Sequence, residues 1–274
     1  MNLNDTVTCF YINLDRAADR RESMESQIAQ LGLDFTRIRA TTGDALDPEL
    51  IKRYDERARM HEFPFGLIPN EHACVHSHLR ALKAYLDTGA PYGLICEDDC
   101  IFEPGFRDGL EYAITKTRGW EVLRLYSDHG GKRTDLLPPH PGAPFELVFP
   151  SKVIYVAVCL LYTRKGAQAV LDGFRRYSNP YDFDWGRILL GGNIPVCGIY
   201  PNIARTSNPN NETSTISTAD QVRLSFDGST RQNLRQLLTR RLWTWYLSYK
   251  KRCMCRLLKR VLYVEDTDAQ SKPL

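Results

Sequence analysis

The chain has 274 residues, 43% hydrophobic and 25% charged, an ordinary globular composition with enough apolar side chains for one generous core. Its net charge of +3 hides a split: 25 basic against 30 acidic residues in 1–227, then ten Lys or Arg and no acid in 228–264. An acidic body argues against nucleic acid as a partner, and with no run of about 18 apolar residues no helix is expected to span a bilayer.

Val7–Leu14 reads as an opening strand, without the basic leader or small-residue cleavage site of a signal peptide. Ala17–Leu31 has helical spacing at Met24, Ile28 and Leu31 and ends at Gly32. Phe35–Arg39 is a second strand, and one short helix is expected near Pro48–Arg59. A longer helix over His72–Leu86 places Cys74, His78, Leu82 and Leu86 on one stripe, stopped by Gly89 and Pro91. Tyr92–Cys96 then forms a buried strand that delivers Glu97-Asp98-Asp99 to its C-terminal end. Strand and helix periods alternate over these first 100 residues, which predicts an α/β fold.

Beyond them, Glu121–Tyr126 is a plausible strand, the Pro- and Gly-rich segment 127–150 a long surface loop, and Val153–Tyr162 a buried strand. A helix over Lys165–Phe174 and a last strand over Pro195–Tyr200 follow, and the Ser/Thr/Asn-rich stretch 206–219 reads as a mobile loop. The eight cysteines include no Cys-x-x-Cys pair and lie mostly in apolar runs, so reduced core thiols in a cytoplasmic chain are expected. Two parts are predicted, an α/β body at 1–227 and a basic amphipathic helical tail at 228–274.

The acidic triplet carries the chemistry. Carboxylates crowded at the rim of an α/β sheet repel one another, and a hard divalent cation such as Mn²⁺ or Mg²⁺ neutralises them. The usual companion of such a cation is a diphosphate; the competing reading is a solvated acidic turn. Asn13-Leu14-Asp15-Arg16 ends the first strand, with Arg20 and Arg21 one turn into the helix, where arginine grips phosphate or merely covers a solvated face. His72 and His76 have the spacing of a zinc pair, but no third ligand is evident; Ser77 and His78 are expected to tie their helix to the acidic strand by hydrogen bonds. Asp182 and Asp184 are the candidates for a catalytic base and Trp185 for a face that stacks on a sugar, against an ordinary capping pair on a Trp185–Leu190 helix.

Several ordered motifs resemble glycosyltransferase family 25, the family of bacterial lipooligosaccharide galactosyltransferases and collagen galactosyltransferases. They are Ile12-Asn13-Leu14-Asp15-Arg16 with Arg20-Arg21, Glu71-x-x-Cys74-x-x-Ser77-His78, and the Ile-x-Glu97-Asp98-Asp99 strand end. Thr163–Ala167, Pro180-Tyr181-Asp182 and Pro195-Val196-Cys197 with Pro201 continue the likeness, which covers residues 7 to 205. The resemblance implies a GT-A-like nucleotide-sugar-binding fold with a central mixed sheet, a UDP-sugar donor (typically UDP-galactose), Mn²⁺ or Mg²⁺, and inversion at the anomeric carbon. On that mapping Asp99 and Glu97 hold the metal. Asn13, Leu14, Arg16, Arg20, Glu71, Ser77, His78, Glu97 and Asp98 surround the donor, and Asp182 is the base or an acceptor-site residue. One departure stands out: Val156-Ala157 replaces the Gly-Thr pair that the family carries before a late tyrosine, which this chain also lacks.

The implied acceptor is a hydroxyl of a lipopolysaccharide-type glycolipid or oligosaccharide. The tail, with Leu234, Leu238, Leu242, Trp245, Tyr249, Cys253, Leu257 and Val261 recurring three or four apart among Lys and Arg, is expected to lie on an anionic membrane surface or to pack on the body. A peripheral enzyme at the inner face of the cytoplasmic membrane is therefore the expectation. The alternatives are a transferase or hydrolase for UDP-glucose or UDP-N-acetylglucosamine, and a non-catalytic membrane adaptor built on a decayed domain.

Overall fold

The computed structural model describes residues 2–126, 144–148, 156–207 and 234–258. The opening strand β1 (Val7–Asn13) is buried along nearly its whole length, as befits a strand covered on both faces. Helix α1 (Ala18–Leu31) returns from it to β2 (Phe35–Arg39), and Gly32 closes the helix in the left-handed region at φ 62°. The expected single helix near 48–59 is two, α2 (Pro48–Ile51) and α3 (Glu56–Glu62). Asp47 and Asp55 cap them separately, accepting from the Glu49 and Ala58 N–H groups at 2.9 and 3.0 Å.

Helix α4 (Pro69–Thr88) starts one turn earlier than the apolar stripe suggests and ends at Gly89. Glu71 explains the early start: its carboxylate accepts from the Ile68 N–H at 2.9 Å, so the helix N-terminus is closed from within. The chain then enters β3 (Tyr92–Glu97), turns through Asp98-Asp99 and forms β4 (Cys100–Phe102). Helix α5 (Phe106–Lys116), strand β5 (Val122–Arg124) and strand β6 (Glu146–Val148) follow. Strand β6 lies inside the stretch expected to be loop, while residues 127–143 of that stretch lie outside the described residues.

The late buried strand is β7 (Cys159–Thr163), shorter than expected, with residues 151–155 outside the described set. Thr163 caps α6 (Arg164–Gly173), its hydroxyl accepting from the Gly166 N–H at 3.1 Å. Helix α7 spans Tyr181–Gly191 and so begins four residues before Trp185. Strand β8 (Val196–Tyr200) is not the last: β9 (Ala204–Thr206) follows it, and residues 208–219 of the expected loop are outside the described residues. Helix α8 (Leu234–Leu258) completes the described chain.

Seven strands form one mixed sheet in the order β2-β1-β3-β7-β5-β8-β6. β2, β1 and β3 run parallel, β7 runs antiparallel between β3 and β5, and β5 pairs parallel to β8. The expected α/β class and central mixed sheet are thus observed. A crossover between parallel strands brings the C-terminal ends of β1 and β3 to one rim, and β7 starts there, with Cys159 opposite Cys96. A second, two-stranded sheet pairs β4 with β9 and sets Thr206 across from Cys100, next to Asp99.

Helix α8 packs on α3 and α7. Leu247 is buried, the Gln236 side chain donates to the Met60 carbonyl at 3.0 Å, and Arg187 sits over the Trp243 ring. The sequence stripe points the other way: Leu238, Leu242, Trp245 and Tyr249 are 50–66% exposed. Among the described residues no helix is long and apolar enough to cross a membrane.

Candidate active site

The rim where β1 and β3 end opens into a cleft. It is lined by Leu14, Arg16 and Arg20 from the β1–α1 side, by Thr41 and Thr42 after β2, and by Asn70, Cys74, Ser77 and His78 from α4. Glu97, Asp98 and Asp99 from the β3 end and Asp182 from α7 complete it. A strand end, three helices and two loops far apart in sequence therefore converge on one acidic cavity.

Each acid of the triplet has different surroundings. Asp98 is bound from both sides: Arg20 forms an ion pair with Oδ1 at 2.9 Å, and the Asn13 amide donates to Oδ2 at 2.7 Å. Burial raises its pKa, opposed chiefly by the Arg20 charge. Arg20 thus lines the cleft with its guanidinium anchored on Asp98. Asn13 is a buried hub behind the cleft wall; it also accepts from Arg37 at 3.0 Å, and Arg37 and Arg39 both clasp Asp15.

Asp99 accepts from the Thr206 hydroxyl at 2.8 Å through Oδ2, while its Oδ1 is buried with no hydrogen-bond partner. Glu97 meets the His78 ring nitrogen Nε2 at 3.0 Å. Burial, then the charges of Asp99 and Asp98, push the Glu97 carboxyl up to about 8. Burial pushes His78 down to about 4, so at neutral pH this contact is a neutral hydrogen bond and not an ion pair. Tyr181 holds the imidazole by stacking at 4.0 Å between ring centroids and 9° between planes.

Asp182 enters the cleft from the first turn of α7 with its Oδ1 out of solvent and unpartnered. Burial and the Glu97 charge raise it to about 7, opposed by His78 and by the backbone N–H of Ala157. Val156, just before, sits at φ 73°, a conformation that glycine adopts freely and a β-branched residue does not. The departure from the family pattern is therefore a side chain in a glycine-type backbone position, with the next backbone amide still facing Asp182.

Three expectations are corrected by this geometry. Asp184 is buried outside the cleft lining and accepts from the Ser178 N–H, the Asn179 N–H and the Asn179 amide at 2.9–3.1 Å, so it holds the loop before α7 and is spent as a base. Trp185 is fully buried and offers no face to a sugar. Glu71 is engaged at the α4 N-terminus and does not line the cleft. Ser77 does line it, and its hydroxyl accepts from the Thr41 N–H at 2.9 Å, fixing the loop after β2. Thr41, Thr42, Asn70 and Thr206 were absent from the expected site; only proximity in the fold reveals them.

The two raised carboxyls have a thermodynamic consequence. Glu97 and Asp182 hold protons in the native chain at pH values where the unfolded chain has released them, so native binds more protons and stability falls as pH rises toward 8. The lowered His72, His76 and His78 act in the opposite sense, but only below their ordinary value of 6.5, while Cys159, lowered against its burial by hydrogen bonds with Cys100 and Cys96, opposes the trend above it. Thermal melts in chelator should therefore show a falling Tm from pH 6.5 to 8, and Glu97→Gln should flatten that slope. A wild-type profile that falls no more steeply than that of Glu97→Gln refutes the assignment.

Comparison with known proteins finds likenesses to the part of the chain that carries most of the cleft lining. Residues 7–136, just under half the chain, match the family model described as "Glycosyltransferase family 25 (LPS biosynthesis protein)". Procollagen galactosyltransferase 2 of Mus musculus is 28% identical over 143 residues, 49% of this chain and 22% of that protein. Procollagen galactosyltransferase 1-A of Xenopus laevis is 25% identical over 174 residues, 60% of this chain and 28% of that protein. A glycosyltransferase 25 family member of Anopheles gambiae is 30% identical over 123 residues, 42% of this chain and 20% of that protein. The chain thus spans less than a third of the length of these relatives. The matched segment runs from β1 through the acidic turn, so the likeness to glycosyltransferase family 25 lies in residues 7–136.

Proposed function

We propose that this protein is an inverting glycosyltransferase that moves a hexose, galactose first among candidates, from a UDP-sugar to a hydroxyl of a lipopolysaccharide-type glycan. The observation that carries the reading is the pair of unpartnered buried carboxylate oxygens, Asp99 Oδ1 and Asp182 Oδ1, on residues lining one cleft at the sheet rim. An orphaned buried oxygen is costly unless a cation or a proton-bearing substrate completes it. Two such oxygens in one cleft fit a metal ligand and a base.

The donor set suits a hard divalent cation: Asp99 and Glu97 would hold Mn²⁺ or Mg²⁺, and Asp98, tied to Arg20 and Asn13, keeps the turn in shape. When bound, the cation supplies positive charge against the leaving diphosphate. The protein's own share is distinct. Arg16 is exposed at the mouth and adds a guanidinium toward phosphate. Asp182, raised to about 7, is matched to accepting a hydroxyl proton near neutrality as the acceptor oxygen attacks the anomeric carbon. Ser77 fixes the Thr41 loop that forms the facing wall.

The galactosyltransferase names of the relatives favour galactose. A panel of UDP-sugars with Mn²⁺ tests it by thermal shift: UDP-galactose should raise Tm most and only with the cation. Equal shifts from every UDP-sugar would remove the sugar assignment, and no shift from any would remove the transferase reading.

The outward stripe of α8 supports a lipid-linked acceptor. Leu238, Leu242, Trp245 and Tyr249 face solvent beside exposed Arg240 and Arg241, the arrangement of a helix that lies in a membrane interface. Vesicles containing anionic lipid should co-float the protein at low salt, and Leu242→Glu with Trp245→Glu should abolish flotation without lowering Tm. Flotation that survives the double change would place the contact elsewhere.

A further inference from the structure

We propose that Cys74, His78 and Glu97 form a second cation site, suited to a borderline-soft ion of the Zn²⁺ class, within the same cleft. One ligand atom from each residue lies within 4.8 Å of the others. Cys74 and His78 are one helical turn apart on α4, so both side chains project from one face. Glu97 reaches them from the end of β3 and already contacts His78 Nε2 at 3.0 Å. All three residues line the cleft, so an ion can reach them.

The donor chemistry separates this site from the one proposed for the diphosphate. A sulfur, an imidazole nitrogen and a carboxylate oxygen are the mixed set that zinc takes in open sites with three protein ligands. Mn²⁺ and Mg²⁺ favour oxygen alone. Zinc bonds of about 2.0–2.3 Å place tetrahedral ligand atoms roughly 3.3–3.8 Å apart, so the trio closes on an ion by side-chain motion of about 1 Å. The Tyr181 stack keeps the His78 ring oriented for it. Asp182, with its unpartnered Oδ1 in the same cleft, offers an oxygen for the fourth position.

Glu97 belongs to both sets. An ion on the mixed set draws Glu97 away from Asp99, so zinc opposes the Mn²⁺-dependent reaction. That inhibition rests on the donor-cleft reading above; the binding itself does not.

The test uses the full chain stripped with chelator and titrated with Co²⁺ in excess Mg²⁺. One equivalent should develop a near-ultraviolet thiolate-to-cobalt charge-transfer band, discharged by Zn²⁺ and lost in Cys74→Ser. No band in the wild type overturns the site. So does a full-strength band in Cys74→Ser, which would move the signal to the core sulfurs Cys96, Cys100 and Cys159, themselves within 4.8 Å of one another. Should Cys74→Ser fail to fold, Glu97→Gln decides: it should weaken Co²⁺ binding about tenfold or more, and unchanged affinity refutes the ligand set. In a hexose-transfer assay with Mn²⁺, zinc should inhibit the wild type, and Glu97→Gln should not bind zinc as tightly. If no nucleotide sugar is turned over, the donor reading fails while the cobalt result still decides the site.

Discussion

Asp182→Asn should lower turnover by about 10³-fold while leaving the donor dissociation constant within a factor of about three. The substitution keeps size and hydrogen-bonding shape but removes the carboxylate proposed to take the acceptor proton. Its effect should therefore fall on kcat and not on donor binding. The pH profile separates a base from a structural acid. Burial and Glu97 raise Asp182 to about 7, so the wild-type rate should climb through neutrality as that carboxyl ionises, and the residual rate of the variant should lack the limb. The substitution also removes a charge that faces Glu97, so folding should not suffer, and an unchanged or higher Tm in chelator is expected. Turnover within tenfold of wild type would take the role of base from Asp182. Asp184 could not inherit it, since its carboxylate is committed to Ser178 and Asn179.

Much of this arrangement was legible in the sequence because it is local. β1, α1, β2, α4 and β3 each carry their own period and stop signal, and the acidic triplet directly follows a buried run, so its place at a rim follows from strand geometry alone. The expected hydrogen-bonded tie from α4 to the acidic strand exists as His78–Glu97, about three turns of helix and one strand bringing those residues together.

What the sequence hid is non-local or depends on helix phase. Thr206 reaches Asp99 only because β9 pairs with β4, a hundred residues away, and nothing in a Ser/Thr/Asn-rich stretch announces that partner. Asp184 and Asp182 look alike as first-turn acids; starting α7 at Tyr181 sends Asp182 to the cleft and turns Asp184 and Trp185 inward. Glu71 shows the same ambiguity, since a carboxylate three residues into a helix serves equally as a ligand or as a capping partner until the backbone is known. The tail's apolar stripe was readable, but whether it faced the body or solvent required the packing of Leu247 and Trp243.

Asp99→Asn carries the second large effect, on the donor and not on the chemistry. Its Oδ2 contact with the Thr206 hydroxyl can be kept by an amide oxygen, and the buried unpartnered Oδ1 is the atom the substitution takes out of service as an anionic ligand. Cation-dependent UDP binding should weaken at least about 100-fold, because a hard ion loses a charged ligand that a neutral amide does not replace. The chelated apoprotein should melt higher than wild type, since one of the charges repelling Glu97 is gone. These opposite shifts distinguish a ligand from a structural residue, whose loss would lower stability and binding together. Asp98→Asn supplies the contrast. It breaks the ion pair with Arg20 and leaves Asp99 in place, so donor binding should fall far less and the apoprotein should not gain stability. If Asp99→Asn binds the UDP-sugar with Mn²⁺ as tightly as wild type does, the acidic rim is not where the diphosphate sits.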